Sequence, residues 1–248
     1  DIDLAVMTGD MSGNQIKSHI KKVEKDILDT NFHEVALPAV TSKGSQFRKT
    51  VHSYPKLNGG DFGHANENII LEINSFARPT PFSKKSMNTY IADYLLKQAP
   101  EAIDEFELER FEINVLEMAR TFCEKLSAIA RASYESDDEQ TELKNKIRHL
   151  YDIHLLLPHL KDFIESTDFI ALVSEVRNDA RNQFGDVGWV SIKLHEIQIF
   201  KDPQFVIESL GFYYKNRFKD LVYLTQPNLD DIIISFQKVA RIITDKNL

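Results

Sequence analysis

Asp1 and Asp3 stand two apart in Asp1-Ile2-Asp3-Leu4-Ala5-Val6, a run that alternates polar and apolar as a strand does. Side chains two apart on a strand project from one face, so both carboxylates aim at one point while Ile2 and Leu4 turn away. Two converging oxygens suit a hard divalent cation such as Mg²⁺. The spacing alone is weak evidence. With 38 acids in 248 residues, chance supplies about six acid-x-acid pairs, and a strand end whose acids meet solvent explains this one equally well. A third carboxylate is Glu72 in Asn68-Ile69-Ile70-Leu71-Glu72-Ile73-Asn74, where Ile69, Leu71 and Ile73 form one wholly apolar face and Glu72 lies on the other. Three acids on neighbouring strands can hold two metal ions about 3.5 to 4 Å apart, an arrangement that clamps phosphates and activates an attacking hydroxyl. The plainer reading of Glu72 is an exposed strand glutamate.

Two later constellations sit on helical patterns. In Arg120-Thr121-Phe122-Cys123-Glu124-Lys125-Leu126, Phe122 and Leu126 begin a core stripe that continues through Ile129 and Ala130, with Lys125 off it. A lysine there can neutralise a triphosphate as a point charge or simply be solvated. In Arg148-His149-Leu150-Tyr151-Asp152-Ile153-His154, Asp152 lies among Leu150, Ile153 and Leu155. An acid so embedded either pairs with Arg148 across one turn or faces a cleft. His149 and His154, five apart, do not share a helix face and read as ordinary polar positions.

The elements that must position these residues change character along the chain. A strand over Asp1 to Met7 is followed by an amphipathic helix, with Ile16, Ile20, Val23 and Ile27 recurring at spacings of four, three and four. Strands are expected at Phe32 to Leu37, Gln46 to Tyr54 and Asn68 to Ser75, separated by the turn signals Ser42-Lys43-Gly44 and Asn58-Gly59-Gly60. A helix from about Ser86 to Gln98 and a strand over Phe106 to Val115 come next. Beyond Leu116 the period is helical: Glu117 to Ala132, Gln140 to Leu157, Asp168 to Gln183, Pro203 to Tyr223 and Asn228 to Thr244, with Thr167 and Asn228 as N-caps and Pro203 in a first turn. There is no repeat and no low-complexity stretch.

At 42% hydrophobic and 27% charged the chain is long enough for a sizeable core and is neither fibrous nor a disordered tail. Its apolar runs are far short of the roughly 20 residues that span a bilayer, and the lone Cys123 closes no intrachain disulfide. No basic segment followed by an apolar one opens the chain, so a cytoplasmic location is expected. Because the sequence opens inside what reads as a buried strand, a segment upstream is expected too. The net charge of −8 argues against coating nucleic acid by bulk electrostatics. Locally, Ala36 to Gly60 carries Lys43, Arg48, Lys49 and Lys56 with no acid, a candidate contact for a polyanion. Glu101 to Glu117 carries seven acids against Arg110 alone and is read as a solvated face.

Asp1-Ile2-Asp3-Leu4-Ala5, Arg120-Thr121-Phe122-x-Glu124-Lys125-Leu126 and Arg148-His149-Leu150-Tyr151-Asp152 together resemble the ordered motifs of the AbiEii/AbiGii nucleotidyltransferase toxins, over roughly the first 155 residues. The resemblance implies a polymerase β-type nucleotidyltransferase fold, with Asp1 and Asp3 holding Mg²⁺, Lys125 meeting the nucleotide phosphates and Asp152 completing the site. It implies the toxin half of a bacterial toxin-antitoxin or phage-abortive system, with a cognate antitoxin as partner. The family carries a Gly-Gly-Thr/Ser-Ser-Leu block shortly upstream of the aspartates. This sequence starts after it, so weak NTP binding by these 248 residues alone is expected. Cys123 replaces an aromatic residue common at that place.

The expectation is an α+β protein, a nucleotidyltransferase-like mixed sheet with helices over residues 1–116 and an all-helical domain over 117–248. Its expected function is metal-dependent transfer of NMP from an NTP to an RNA 3′ end, such as that of tRNA, or to a protein hydroxyl, with Asp1, Asp3 and Glu72 on the metal. Two rival readings stand beside it: a non-catalytic module of the same fold that binds a partner, and a phosphohydrolase using the same carboxylates on water.

Overall fold

The computed structural model describes residues 2–27, 32–37, 40–56, 67–76, 78–137, 140–185, 188–219, 222 and 225–248. It is an α+β protein with a mixed sheet near the N-terminus and helices after it. Strand β1 (Ile2–Ala5) leads into helix α1 (Gly13–Ile27), and β2 (His33–Glu34), β3 (Ser42–Lys43), β4 (Phe47–Ser53) and β5 (Ile69–Asn74) follow. The strand order is β1-β5-β4-β2, with β3 also on β4; β1 runs parallel to β5 and the other pairs are antiparallel. The parallel pair requires a crossover, which α1 provides by lying across the sheet. Ile20 of α1 is fully buried with Leu71, Ile73 and Val6, and Ile2, Leu4, Ile16, Val23 and Ile27 pack around them. The four-three-four spacing thus supplies the stripe that covers one face of the sheet. On that same face Arg48 of β4 forms a buried ion pair with Glu24 of α1, Nη2 to Oε2 at 2.6 Å.

A two-stranded ribbon, β6 (Phe82–Met87) with β7 (Phe111–Leu116), encloses helices α2 (Tyr90–Gln98) and α3 (Ala102–Glu105). The helix expected from Ser86 therefore starts four residues later. Thr89 caps it, accepting from the Ala92 N–H, while Ser86 and Met87 pair with β7. Residues 106–110 are likewise a turn rather than the start of a strand. The acidic segment is solvated as expected: Glu101, Asp104, Glu105, Glu107, Glu109 and Glu112 are all exposed.

The helical part holds α4 (Met118–Glu135), α5 (Thr141–Asn145), α6 (Ile147–Leu156), a 3-10 turn (Leu157–His159), α7 (Lys161–Glu165), α8 (Thr167–Phe184), α9 (Gly188–Ser191), α10 (Gln198–Lys201), α11 (Pro203–Ser209), α12 (Gly211–Tyr213) and α13 (Leu229–Asp245). The larger apolar core draws only on residues from Phe122 onward, with α4, α6, α8 and α13 supplying most of it. Gly185, at φ +78°, closes α8, a conformation that a side chain would strain. Ser166, not Thr167, holds the N-cap position of α8.

Two expected helices are broken. Lys146, at φ −106° and ψ 10°, divides Gln140 to Leu157 into α5 and α6. The helix expected from Pro203 ends at Ser209, and after Gly211 the chain winds as a π-helix over Tyr214–Phe218. Tyr214 is anchored there, its hydroxyl donating to the Pro227 carbonyl at 2.9 Å. No helix among the described residues is long and apolar enough to cross a membrane.

Candidate functional site

The sheet has one face covered by α1 and another turned toward the helical part. Alternation assigns Asp3, Glu72 and Lys49 to the second face, since Ile2, Leu4, Leu71, Ile73 and Arg48 belong to the first. Asp3 pairs in register with Glu72 across the parallel β1-β5 ladder, and Glu72 with Lys49 across β5-β4. The three side chains therefore form one row over three strands. Lys49 Nζ donates to Glu72 Oε1 at 2.6 Å, so the row is carboxylate, carboxylate, ammonium.

On the helical side, Glu124 of α4 shares a cleft with Asp3. Lys125 Nζ donates to Asp152 Oδ2 at 2.6 Å, joining α4 to α6. Asp152 takes Lys125 as its partner instead of Arg148, which is exposed. His149 lies one turn before Asp152, its Nδ1 3.7 Å from the same Oδ2, too long for a hydrogen bond. Burial alone would raise the Asp152 carboxyl, but the neighbouring His149 and Lys125 outweigh it and hold its pKa below the ordinary aspartate value. Burial pushes the His149 ring below its usual value. Asp152 opposes that shift, while Lys125, Arg148 and Lys146 add to it.

Two clefts adjoin the row. One of about 330 Å³ is lined by Asp3, Ala5, Asn74, Phe82, Asn114 and Glu124 among others. The second, of about 480 Å³, runs between Asn74 and Phe76 on the sheet side and α4, α8 and α9 on the other, past Ser127, Arg131, Lys146 and Phe184. Asn74 and Glu124 line both. Arg131 stacks over the Phe184 ring, 4.2 Å from its centre. Lys146 has no ion pair among the described residues, and burial lowers its pKa; Glu72 is near enough to oppose that shift with its charge. At the rim Arg120, 1% exposed, binds three carboxylates: Glu124 at 2.8 Å, Glu175 at 3.2 Å and Asp179 at 2.6 Å. Glu124 is thereby fixed between the two clefts.

The structure brings Asp3 beside Glu72 and Lys125 beside Asp152. Glu124, the residue before Lys125, lines both clefts, and Lys146, just before α6, is near enough to Glu72 for their charges to interact. Asp1 lies outside the described residues. The basic segment requires a correction. Lys43 pairs with Glu34 at 2.5 Å, Arg48 with Glu24, Lys49 with Glu72 and Lys56 with Glu67 at 3.1 Å. Counting charges along Ala36 to Gly60 missed the acids that α1, β2, β5 and the residues before β5 bring alongside, so no free positive strip results.

His149 also differs from expectation, being 9% exposed rather than an ordinary polar helix position. Its signal was present in the sequence: it lies four before Ile153, on the buried stripe, and three before Asp152. Glu124, Lys146 and Asn74 went unnoticed as site residues. The alternation of β5 places Asn74 on the Glu72 face, but nothing in the sequence marks Lys146 as a helix break.

Asp3 and Glu72 supply hard oxygen donors from adjacent strands, which fits Mg²⁺ in donor type. Among the described residues no three His, Cys, Asp or Glu side chains cluster closely enough to hold a metal ion. No curated protein and no solved structure matches the chain. A family model does: that of the nucleotidyl transferase AbiEii toxin, type IV toxin-antitoxin system, aligns with residues 1–239. Nearly the whole chain is covered, including both acid strands and both helices that carry Lys125 and Asp152, and the protein therefore belongs to the AbiEii nucleotidyl transferase toxin family.

Proposed function

We propose that the protein is a metal-dependent nucleotidyltransferase that moves NMP from an NTP onto an RNA 3′ end or a protein hydroxyl, as the toxin of a system whose other half is an antitoxin. The observation that carries this reading is the in-register Asp3 and Glu72 pair, on the sheet face away from α1, with Asp3 lining a cleft shared with Glu124 of α4.

Asp1, Asp3 and Glu72 would hold Mg²⁺, with Lys49 released from Glu72 as the cation takes its place. Bound there, the metal supplies charge neutralisation at the phosphates and a lowered pKa at an attacking hydroxyl. Lys125 gives its ammonium to the phosphates, and Lys146, in the larger cleft and without an ion pair among the described residues, adds a second positive charge. Asp152 holds Lys125 in place until substrate arrives. The larger cleft has room for the nucleoside, with Arg131 and Phe184 as flat surfaces and Ser127 as a polar contact. Most of the rate advantage then comes from aligning the acceptor hydroxyl, the α-phosphorus and the leaving pyrophosphate, and from charges fixed in advance.

The test uses the protein as its gene encodes it, with Mg²⁺, each NTP labelled at the α-phosphate, and extracts of RNA and of protein. The reading expects label on a macromolecule, and periodate treatment of the RNA beforehand separates a 3′-end acceptor from a protein one. Labelled NMP alone would mean a hydrolase. No turnover of any NTP would favour the partner-binding module.

A further inference from the structure

One oxygen, Oδ2 of Asp152, faces two possible partners. Lys125 Nζ occupies it at 2.6 Å, and His149 Nδ1 waits at 3.7 Å. The histidine is buried, 9% exposed, and among the described residues its Nδ1 has no hydrogen-bond partner. A buried polar nitrogen without a partner is uncommon, because burial removes water without replacing its bond. Here the carboxylate 3.7 Å away is already engaged by a lysine. Burial lowers the pKa of the ring; Asp152 opposes that shift, while Lys125 on α4, Arg148 on its own helix and Lys146 just before that helix disfavour a further positive charge.

We propose that His149 is a positioning residue that takes over Asp152 when Lys125 turns to the triphosphate. The proposal rests on the reading of Lys125 as a phosphate ligand. A lysine that leaves a partly buried carboxylate for a phosphate strands that carboxylate, and the cost of stranding it opposes substrate binding. The Nδ1–H tautomer of His149 can donate to Oδ2 after closing from 3.7 Å to about 2.9 Å, a motion of about 0.8 Å. No proton need be taken from solvent. Arg148 sits a full turn from Asp152 but is exposed, so recruiting it would order a long side chain, whereas the ring of His149 is already held. Asp152 thus passes from one donor to the other, and Lys125 is freed without leaving the carboxylate oxygen it held bare of a hydrogen bond.

The experiment measures Mg²⁺–NTP dissociation constants by calorimetry, for the NTP that binds most tightly of the four. It compares the protein as its gene encodes it with H149L, H149N, K125A and K125A/H149L, each first confirmed as folded by circular dichroism. Leucine keeps the bulk and removes the donor, whereas asparagine keeps an amide N–H near the Nδ1 position. H149L should weaken binding about tenfold and H149N less than about threefold, while in the K125A background H149L should add less than about twofold, because the exchange no longer exists. An equal loss from H149L in both backgrounds would show a structural role and overturn the proposal. So would H149N as weak as H149L, or H149L as tight as the parent. If K125A itself leaves binding unchanged, the reading of Lys125 fails first and the exchange falls with it.

Discussion

Arg120→Met offers the sharpest test of how the helical side of the site is held. Arg120 is 1% exposed and its three nitrogens reach three different acids. Of these, Asp179 is the one whose loss of partner matters, since its side chain is only 10% exposed against 37% for Glu124 and 40% for Glu175. Water can resolvate the two glutamates, so each of those contacts is worth about 1 kcal/mol or less. Stranding a buried carboxylate costs about 3 to 5 kcal/mol. Arg78, 3.8 Å from the other oxygen of Asp179, offsets part of that, so about 3 kcal/mol is expected. For a chain of this size that lowers the melting temperature by about 6 to 12 °C. Urea unfolding followed by circular dichroism supplies the free energy. The double variant R120M/D179L removes the stranded charge with its partner and should return to within about 1 kcal/mol of the parent. A cost below about 1 kcal/mol for R120M, or a double variant less stable than the single, would refute the reasoning.

Other consequences are open to direct measurement. His52 and His149 both have pKa values depressed below 6.5 by burial, so the unfolded chain binds more protons as pH falls through that value. Stability is thus full above about pH 6.5 and declines on acidification. Asp152, depressed below 3.8, extends the decline to lower pH, and a melting temperature that rises between pH 7 and 5 would contradict this. Cys123, 2% exposed and pushed up to about 12, should resist Ellman's reagent until the protein unfolds; rapid stoichiometric labelling of native protein would show the burial to be wrong. Asp3→Ala should leave the melting temperature equal or higher, because it removes a charge beside Glu72 in the same register. A large loss of stability would assign Asp3 a structural role.

Much of the sheet was legible because alternation and helical spacing encode local faces. The four apolar positions of α1 and the single apolar face of β5 sufficed to separate the Glu72 side from the buried side. The adjacency of Asp3 and Glu72 was only inferable, since strand order depends on which distant segments pair. Charge reading failed for the same reason. Lys49 and Arg48 look free along the chain, yet β5 and α1 supply their acids. Nothing local marks the break at Lys146, which has neither proline nor glycine within a turn, whereas the helix from Pro203 ends at Ser209, two residues before Gly211. The sequence offers Arg148, one turn away, as the partner of Asp152. That the partner is Lys125 is a tertiary fact, set by the packing of α4 on α6. The spacing of His149 to Ile153 and Asp152, rather than to His154, is what decides its burial.

The central claim is that the carboxylates of β1 and β5 drive transfer, and Asp3→Asn tests it most directly. The variant keeps the shape of the side chain and removes its charge. Transfer of α-phosphate label to the macromolecular acceptor is measured for parent and variant side by side, with melting temperatures recorded for both. The account predicts that transfer by D3N falls at least about a thousandfold at unchanged melting temperature. Parent-level transfer by a folded D3N protein would contradict it.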